Sequence, residues 1–270
     1  MGNYVLAVVI CAVFVFPIYW VFNKAFTPLD AINAYPPSFF PTPPTGANIA
    51  EAFQEGNIGR YILNTCVIVG LTILGSVLSC SLVAYGFARL KFRAKNALFL
   101  VLLATMMIPF DVTIVPQFIL FTKIHWTNTY LPLIVPTFFC GFQGAFFVFL
   151  MRQFIMGIPL SLDEAAEIDG CNRLQTFTKI IFPMMKPVIA AVVIYQFMYA
   201  WNDFLYPLIY LDDFKNYTLT LGIYLMRTPY ITPWGPMMGA AGLASLVPVT
   251  VFFLTQEKLL GGLQTSGMKN

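Results

Sequence analysis

Six apolar runs alternate with polar connections along the chain, at about 4–23, 61–88, 96–121, 128–151, 188–211 and 234–255. Each is near the length that crosses a hydrocarbon core of roughly 30 Å as a helix. The first, Tyr4 to Asn23, is 20 residues long and uncharged. It has no basic leader and is longer than a signal-peptide core, which predicts a retained span. The second holds Gly70, Gly75, Ser76, Ser79 and Ser81, and the sixth holds Gly235, Gly239, Ala240, Ala241, Gly242, Ala244 and Ser245. Small side chains of this kind let helix backbones approach closely inside a bundle. In the third run Pro109 and Pro116 interrupt the hydrogen-bond ladder with Asp111 between them, a carboxylate too costly to face lipid. Asp111 belongs either to a solute route or to the outer interface.

One polar connection, within 152–187, has structure of its own. Ser161 and Glu164 are spaced as a capping box, which predicts a helix from Leu162. Asp163, Glu164 and Glu167 place negative charge in its first turns, and Gly170 suits the left-handed residue that ends it. A helix of about two turns is marginal alone, so packing must hold it. Ala165 and Ala166 keep one side small. Asn172 and Gln175 repeat the cap spacing for a second helix with Leu174, Phe177, Ile180 and Ile181 on one face, ended by Pro183 and Pro187.

The remaining polar stretches narrow the function. Lys24 to Arg60 is rich in proline, with a short surface helix over Asn48 to Gln54, and is either a spacer or a face for an external partner. His125 and Trp126 form an interfacial aromatic pair, and a single histidine without ligand partners makes no metal site. The five cysteines are scattered, four of them in apolar runs. The chain is 59% hydrophobic and 10% charged, where a soluble domain carries roughly a quarter charged residues; this is an integral membrane protein. Net charge is +3 with dispersed cations, which leaves no nucleic-acid footprint. On a six-span model the connections on the side of 152–187, with the tail, hold ten Lys and Arg and the other side five. The bias predicts cytoplasmic termini and a cytoplasmic 152–187 loop. No glycine-rich segment ends in Gly-Lys-Ser or Gly-Lys-Thr, so the chain has no Walker-type phosphate loop.

Glu164-Ala165-Ala166, Asp169-Gly170, Phe177, Ile180 and Pro183 resemble the EAA loop of the membrane subunits of bacterial ABC importers. Met107-Ile108-Pro109 with Val115-Pro116, Asn128-Thr129-Tyr130 and the approach Phe147 to Phe154 are similar to the same family. Tyr199-Ala200-Trp201-Asn202-Asp203-Phe204 resembles the carbohydrate, maltose-type group, as do Gly261-Gly262-Leu263 and Gly267-Met268-Lys269 in the tail; the chain looks like the smaller membrane subunit. The resemblance implies an all-α membrane protein with the ABC importer type I permease fold. Its 270 residues would form a single permease domain of six transmembrane helices in the bacterial inner membrane, with a cytoplasmic coupling helix. Glu164, Ala165, Ala166, Asp169 and Gly170 would engage an ATPase subunit. The implied partners are a second homologous permease, two ATPase subunits that bind ATP and Mg, and an extracytoplasmic solute-binding protein touching the loop 212–233. This chain itself would hold no cofactor and do no catalysis. The family's short basic segment ahead of the first helix is missing, which points to a shortened or alternative start. Tyr199, Trp201, Asn202 and Asp203 would contact the solute, by ring stacking and hydroxyl hydrogen bonds; the alternative is that Asn202 and Asp203 hold the two membrane subunits together or stabilise this helix end. The implied cargo is a sugar, sugar alcohol, oligosaccharide or glycerol phosphate diester.

Two other classes compete. A secondary transporter or channel not powered by ATP would also be polytopic, but it should show internal repeats or paired buried charges and has no use for a capped polar-loop helix. A membrane enzyme would need a convergent nucleophile, histidine or metal set, which the sequence lacks.

Overall fold

A computed structural model describes residues 2–227 and 232–267, with side chains to residue 256. Among these residues every regular element is helical. In chain order they are α1 (Gly2–Ala25), α2 (Ala47–Gln54), α3 (Ile58–Arg89), α4 (Lys95–Ala104), α5 (Phe110–Lys123), α6 (Leu131–Ile134), α7 (Gly144–Met156), α8 (Ser161–Ile168), α9 (Arg173–Thr176), α10 (Phe182–Met184), α11 (Lys186–Asn202), α12 (Leu205–Tyr210), α13 (Leu219–Leu225) and α14 (Trp234–Gly267).

Four stretches are long and apolar enough to cross a membrane: Gly2–Ala25, Ile58–Arg89, Leu131–Met156 and Trp234–Gln256; the third is interrupted between α6 and α7, where Cys140 and Phe142 have positive φ. Two more arise if each of two bent pairs counts as one span, Lys95–Met107 with Phe110–Lys123 at 97° and Arg173–Met184 with Lys186–Asn202 at 75°. The first bend falls at Pro109, because a residue before proline is pushed out of the helical region. Ile108 accordingly takes ψ 115° and Pro109 becomes the N-cap of α5. Pro116, also expected to break the run, is carried inside α5. The expected run 188–211 is not one helix. It stops at Asn202, whose side chain turns back to the Met198 carbonyl at 2.8 Å, and Asp203 Oδ1 accepts the Tyr206 amide at 3.3 Å to start α12. The helix expected over 234–255 instead continues to Gly267, through the Gly261-Gly262-Leu263 motif; Met268 and Lys269 lie outside the described residues.

The chain divides into two compact units. One comprises Met1–Thr65 and Asp213–Phe253. In it the short helix expected at Asn48 to Gln54 is no mere surface element. Asn48 is buried and its amide donates to the carbonyls of Ala25 at 3.0 Å and Thr27 at 2.7 Å, capping the end of α1. Gly235 packs so closely on Asn48 that a Cβ would overlap it, which is the small-residue approach expected of the last run. The loop after Asp212 is tied back by Arg60 and Asn64, which both donate to the Lys215 carbonyl at 2.9 Å, and by Thr65 Oγ1, which accepts the Leu219 amide at 2.8 Å.

The other unit comprises Cys66–Asp212 and Leu254–Asn270. Its core is built from Cys80, Ala84 and Tyr85 of α3, Phe147, Val148, Met151 and Ile155 of α7, and Phe177, Ile181, Met185, Val188 and Val192 leading into α11. The expected close approach is present at Gly75, where a Cβ would lie 2.7 Å from the Phe138 ring, and Ser79 donates to the Thr137 carbonyl at 2.9 Å. Gly70, by contrast, faces open space. The core thus fixes α3 and α7 against the segment that carries α8.

Candidate functional site

The loop after α7 builds α8 from its main chain. Leu160 already has helical φ and ψ of −64° and −27°, and the amides of Asp163 and Glu164 donate to its carbonyl at 2.9 and 3.1 Å. The Leu162 amide closes the preceding turn on the Pro159 carbonyl at 3.3 Å. The helix therefore starts at Ser161, and the expected capping box of Ser161 and Glu164 is not formed. Proline 159 fixes φ and begins the turn early, leaving Ser161 inside the helix where its hydroxyl cannot serve as a cap.

The far end matches expectation. Gly170 has φ +81°; its amide donates to the Glu167 carbonyl at 3.1 Å and that of Cys171 to Ala166 at 2.9 Å, the paired reverse bonds of a helix ended by a left-handed residue. Asn172 and Gln175 form a complete capping box, each side chain bonded to the other's amide at 2.9 Å. The second helix then departs from its expected face. Phe177 and Ile181 are buried, but Leu174 is 63% exposed, because a π-helical turn over Phe177–Ile181 rotates those residues away from it. The same wide turn carries the chain through Pro183, which does not end the helix, and Pro187 opens α11.

Only one face of α8 touches the unit. Asp163 and Ala166 are buried and Leu162 is partly so, while Ser161, Glu164, Ala165, Glu167 and Ile168 are exposed. The two alanines expected to share a small face are split, Ala166 inward and Ala165 outward. With Leu160 at 61% and Ile168 at 86% exposure, the outer face is apolar at its two ends and acidic between. Asp169 and Gly170 are exposed beside it.

The inward face meets the C-terminal end of α3. Arg89 Nε lies 3.0 Å from Asp163 Oδ2, both side chains less than a tenth exposed, and the other arm of the guanidinium donates to the Ile158 carbonyl at 2.7 Å. The ion pair is off the line of a straight hydrogen bond, and neither Asp163 oxygen has an aligned donor, so Arg89 is the charge that compensates this carboxylate. One turn earlier, Tyr85 donates to the Arg173 carbonyl at 3.2 Å and packs its ring 5.0 Å from that of Phe177. Arg152, leaving α7, donates to the Phe87 carbonyl at 3.2 Å and lies 4.1 Å over the Phe99 ring. The last turns of α3 therefore hold both sides of the loop. The exposed pair Arg173 and Glu167, 3.5 Å apart, adds little in water.

The second group of sequence-expected residues is dispersed. Trp201 is buried and stacked on Phe197 at 5.6 Å, Tyr199 and Asn202 are exposed, and Asp203 is partly buried at the start of α12. Asp111 lies exposed in the first turn of α5. Arg89, Asp163 and Tyr85 were missed as a set by sequence reasoning. Arg89 looked like one of four cations marking a loop, and Asp163 like a dipole-friendly acid. The available signal was spacing: Tyr85 and Arg89 fall on one helix face, as do Asp163 and Ala166.

The family model for the binding-protein-dependent transport system inner membrane component matches residues 76–260. The chain is 33% identical over 263 residues to the arabinooligosaccharides transport system permease protein AraQ of Halalkalibacterium halodurans, covering 94% of this chain and 91% of that one. It is 26% identical over 265 residues to the diacetylchitobiose uptake system permease protein DasC of Streptomyces coelicolor, covering 98% and 95%. Its fold matches a chain of a bacterial ABC transporter involved in the import of the acidic polysaccharide alginate, with TM-score 0.81 at 19% identity, covering 95% and 94%. The helical membrane architecture and the match over most of its length agree: the chain belongs to the inner membrane components of binding-protein-dependent transport systems, the permeases of ABC transporters.

Proposed function

We propose that this permease subunit imports an oligosaccharide or related polyhydroxylated solute by alternating access, powered by ATP bound with Mg on two separate ATPase subunits. It works beside a second homologous permease and receives solute from an extracytoplasmic binding protein. The bent pairs each count as one span, giving six, with both termini in the cytoplasm. The observation that carries this reading is α8. It is an eight-residue helix locked to the membrane unit by one face while the other presents Leu160, Glu164, Ala165 and Ile168 to solvent. An exposed apolar and acidic strip on a fixed helix suits a cleft on a partner. ATPase closure would push α8 and rock the bundle, since a two-state machine needs contacts that differ between its states. The sugar assignment is supported by the relatives, which include permeases named for the transport of arabinooligosaccharides and the uptake of diacetylchitobiose.

The test is uptake by the assembled complex in proteoliposomes, with ATP enclosed on the ATPase side and labelled arabinotriose, diacetylchitobiose and maltotriose offered with the binding protein outside. Uptake of one of them that requires ATP and survives collapse of ion gradients is expected. Uptake that follows an imposed proton or sodium gradient and ignores ATP would make the chain a secondary transporter.

A further inference from the structure

We propose that Arg89 is the residue through which movement of α8 reaches α3. This rests on α8 being the element that the ATPase subunits move. The sequence neighbours of α8 are α7 on one side and, on the other, α9 and α10 leading to α11, and force could pass along the backbone by those two routes alone. The side chains give a third route. Arg89 is the last residue of α3, a continuous helix of 32 residues, so whatever is fixed to it is fixed to a rod that crosses the membrane.

The attachment is electrostatic where an apolar one would be ordinary. Only Asp163 and Ala166 of α8 are fully buried; Leu162 adds a partly buried apolar contact with the core, and the alanine has too little surface to anchor a helix. One guanidinium meets both the first turn of α8, through Asp163, and the approach to it, through the Ile158 carbonyl. Two contacts from one planar group resist rotation as well as separation, which a single apolar contact does not. Tyr85, one turn back, holds the exit at the Arg173 carbonyl. Buried ion pairs are poor sources of stability compared with packed apolar residues, so the pair is suited to fixing geometry. Arg89 acts through Asp163 and is a positioning residue.

The experiment uses the whole complex in lipid nanodiscs, with exposed native cysteines replaced by serine and spin labels at Ser161→Cys on α8 and Leu82→Cys on α3. Distances are measured without nucleotide and after trapping with ATP and vanadate. The native pair is expected to keep one narrow distance in both states, and Asp163→Asn to give a broadened or nucleotide-dependent one. ATP-driven uptake of the oligosaccharide probe should fall by about 5- to 150-fold, the usual span of a coupling factor, while ATP hydrolysis persists. The double variant Arg89→Met with Asp163→Leu removes both charges and keeps bulk. It should regain thermal stability but not uptake per ATP hydrolysed. Native coupling in assembled Asp163→Asn or double-variant complexes, with unchanged distances, overturns the inference. A failure of the underlying reading looks different: the label at position 161 would then show no change in its distance to any labelled ATPase subunit on trapping, even with Arg89 and Asp163 native.

Discussion

At the scale of single residues, the loop's shape depends on a few positions with separable physical roles. Gly170 has φ +81° and its missing Cβ would meet nothing within 4 Å, so the cost of a side chain there is backbone strain alone. Gly170→Ala should destabilise the loop by about 1–2 kcal/mol, and Gly170→Asn by less, because asparagine tolerates the left-handed region. Thermal unfolding of the complex and uptake, measured together, check this ordering. Asn172→Ala removes one side of the capping box and should cost about 1 kcal/mol, whereas Ser161→Ala, at a position that makes no cap, should be nearly silent. Equal effects of the two would show that the helix starts where the sequence spacing suggests rather than at Ser161. Asp163→Ala should be the most damaging of these, since it leaves Arg89 buried without its partner, at a cost of roughly 3–5 kcal/mol.

At the scale of elements, packing decides between glycines that composition cannot tell apart. Gly75 lies against Thr137 and Phe138, and Gly70, on the same helix, faces open space. Gly75→Leu should lower the melting temperature through overpacking worth about 1–3 kcal/mol, and Gly70→Leu should not. Much of the element structure was legible in sequence. Apolar length located the stretches long enough to cross a membrane, Pro109 located the sharp bend, Gly170 located the end of α8 and Asn172 the start of the next helix. What could not be read was set by the main chain and by tertiary neighbours. Pro159 begins α8 before its apparent cap, and the π turn at Phe177–Ile181 shifts the buried face and absorbs Pro183. The Arg89 and Asp163 pair joins residues 74 positions apart; spacing places each on a helix face but does not pair the two faces.

At the scale of the molecule, the long exposed apolar surfaces have a plain reading. Most of α1, the outer sides of α3, α4 and α5, and Phe252, Phe253 and Leu254 of α14 are exposed in the isolated chain, as expected of surfaces that meet lipid or another subunit. The loop between α7 and α11 is different, because it pairs a buried polar anchor with an exposed strip in a segment too polar for the bilayer. The charge bias of its side predicts that labels at Ala165 and Lys91 react only with reagents that enter the cytoplasm, and reaction from outside intact cells would reverse the topology.

In the proposed function, the exposed strip of α8 is where a separate motor engages this chain. Ile168 is the most direct probe, being 86% exposed and free to change without disturbing the unit's packing. Copurification of ATPase subunits with native and Ile168→Asp chains, in parallel with the thermal stability of each chain, tests it. Unchanged stability with loss of the ATPase subunits is the predicted result, and a full complement of them with undiminished ATP-driven uptake would contradict it.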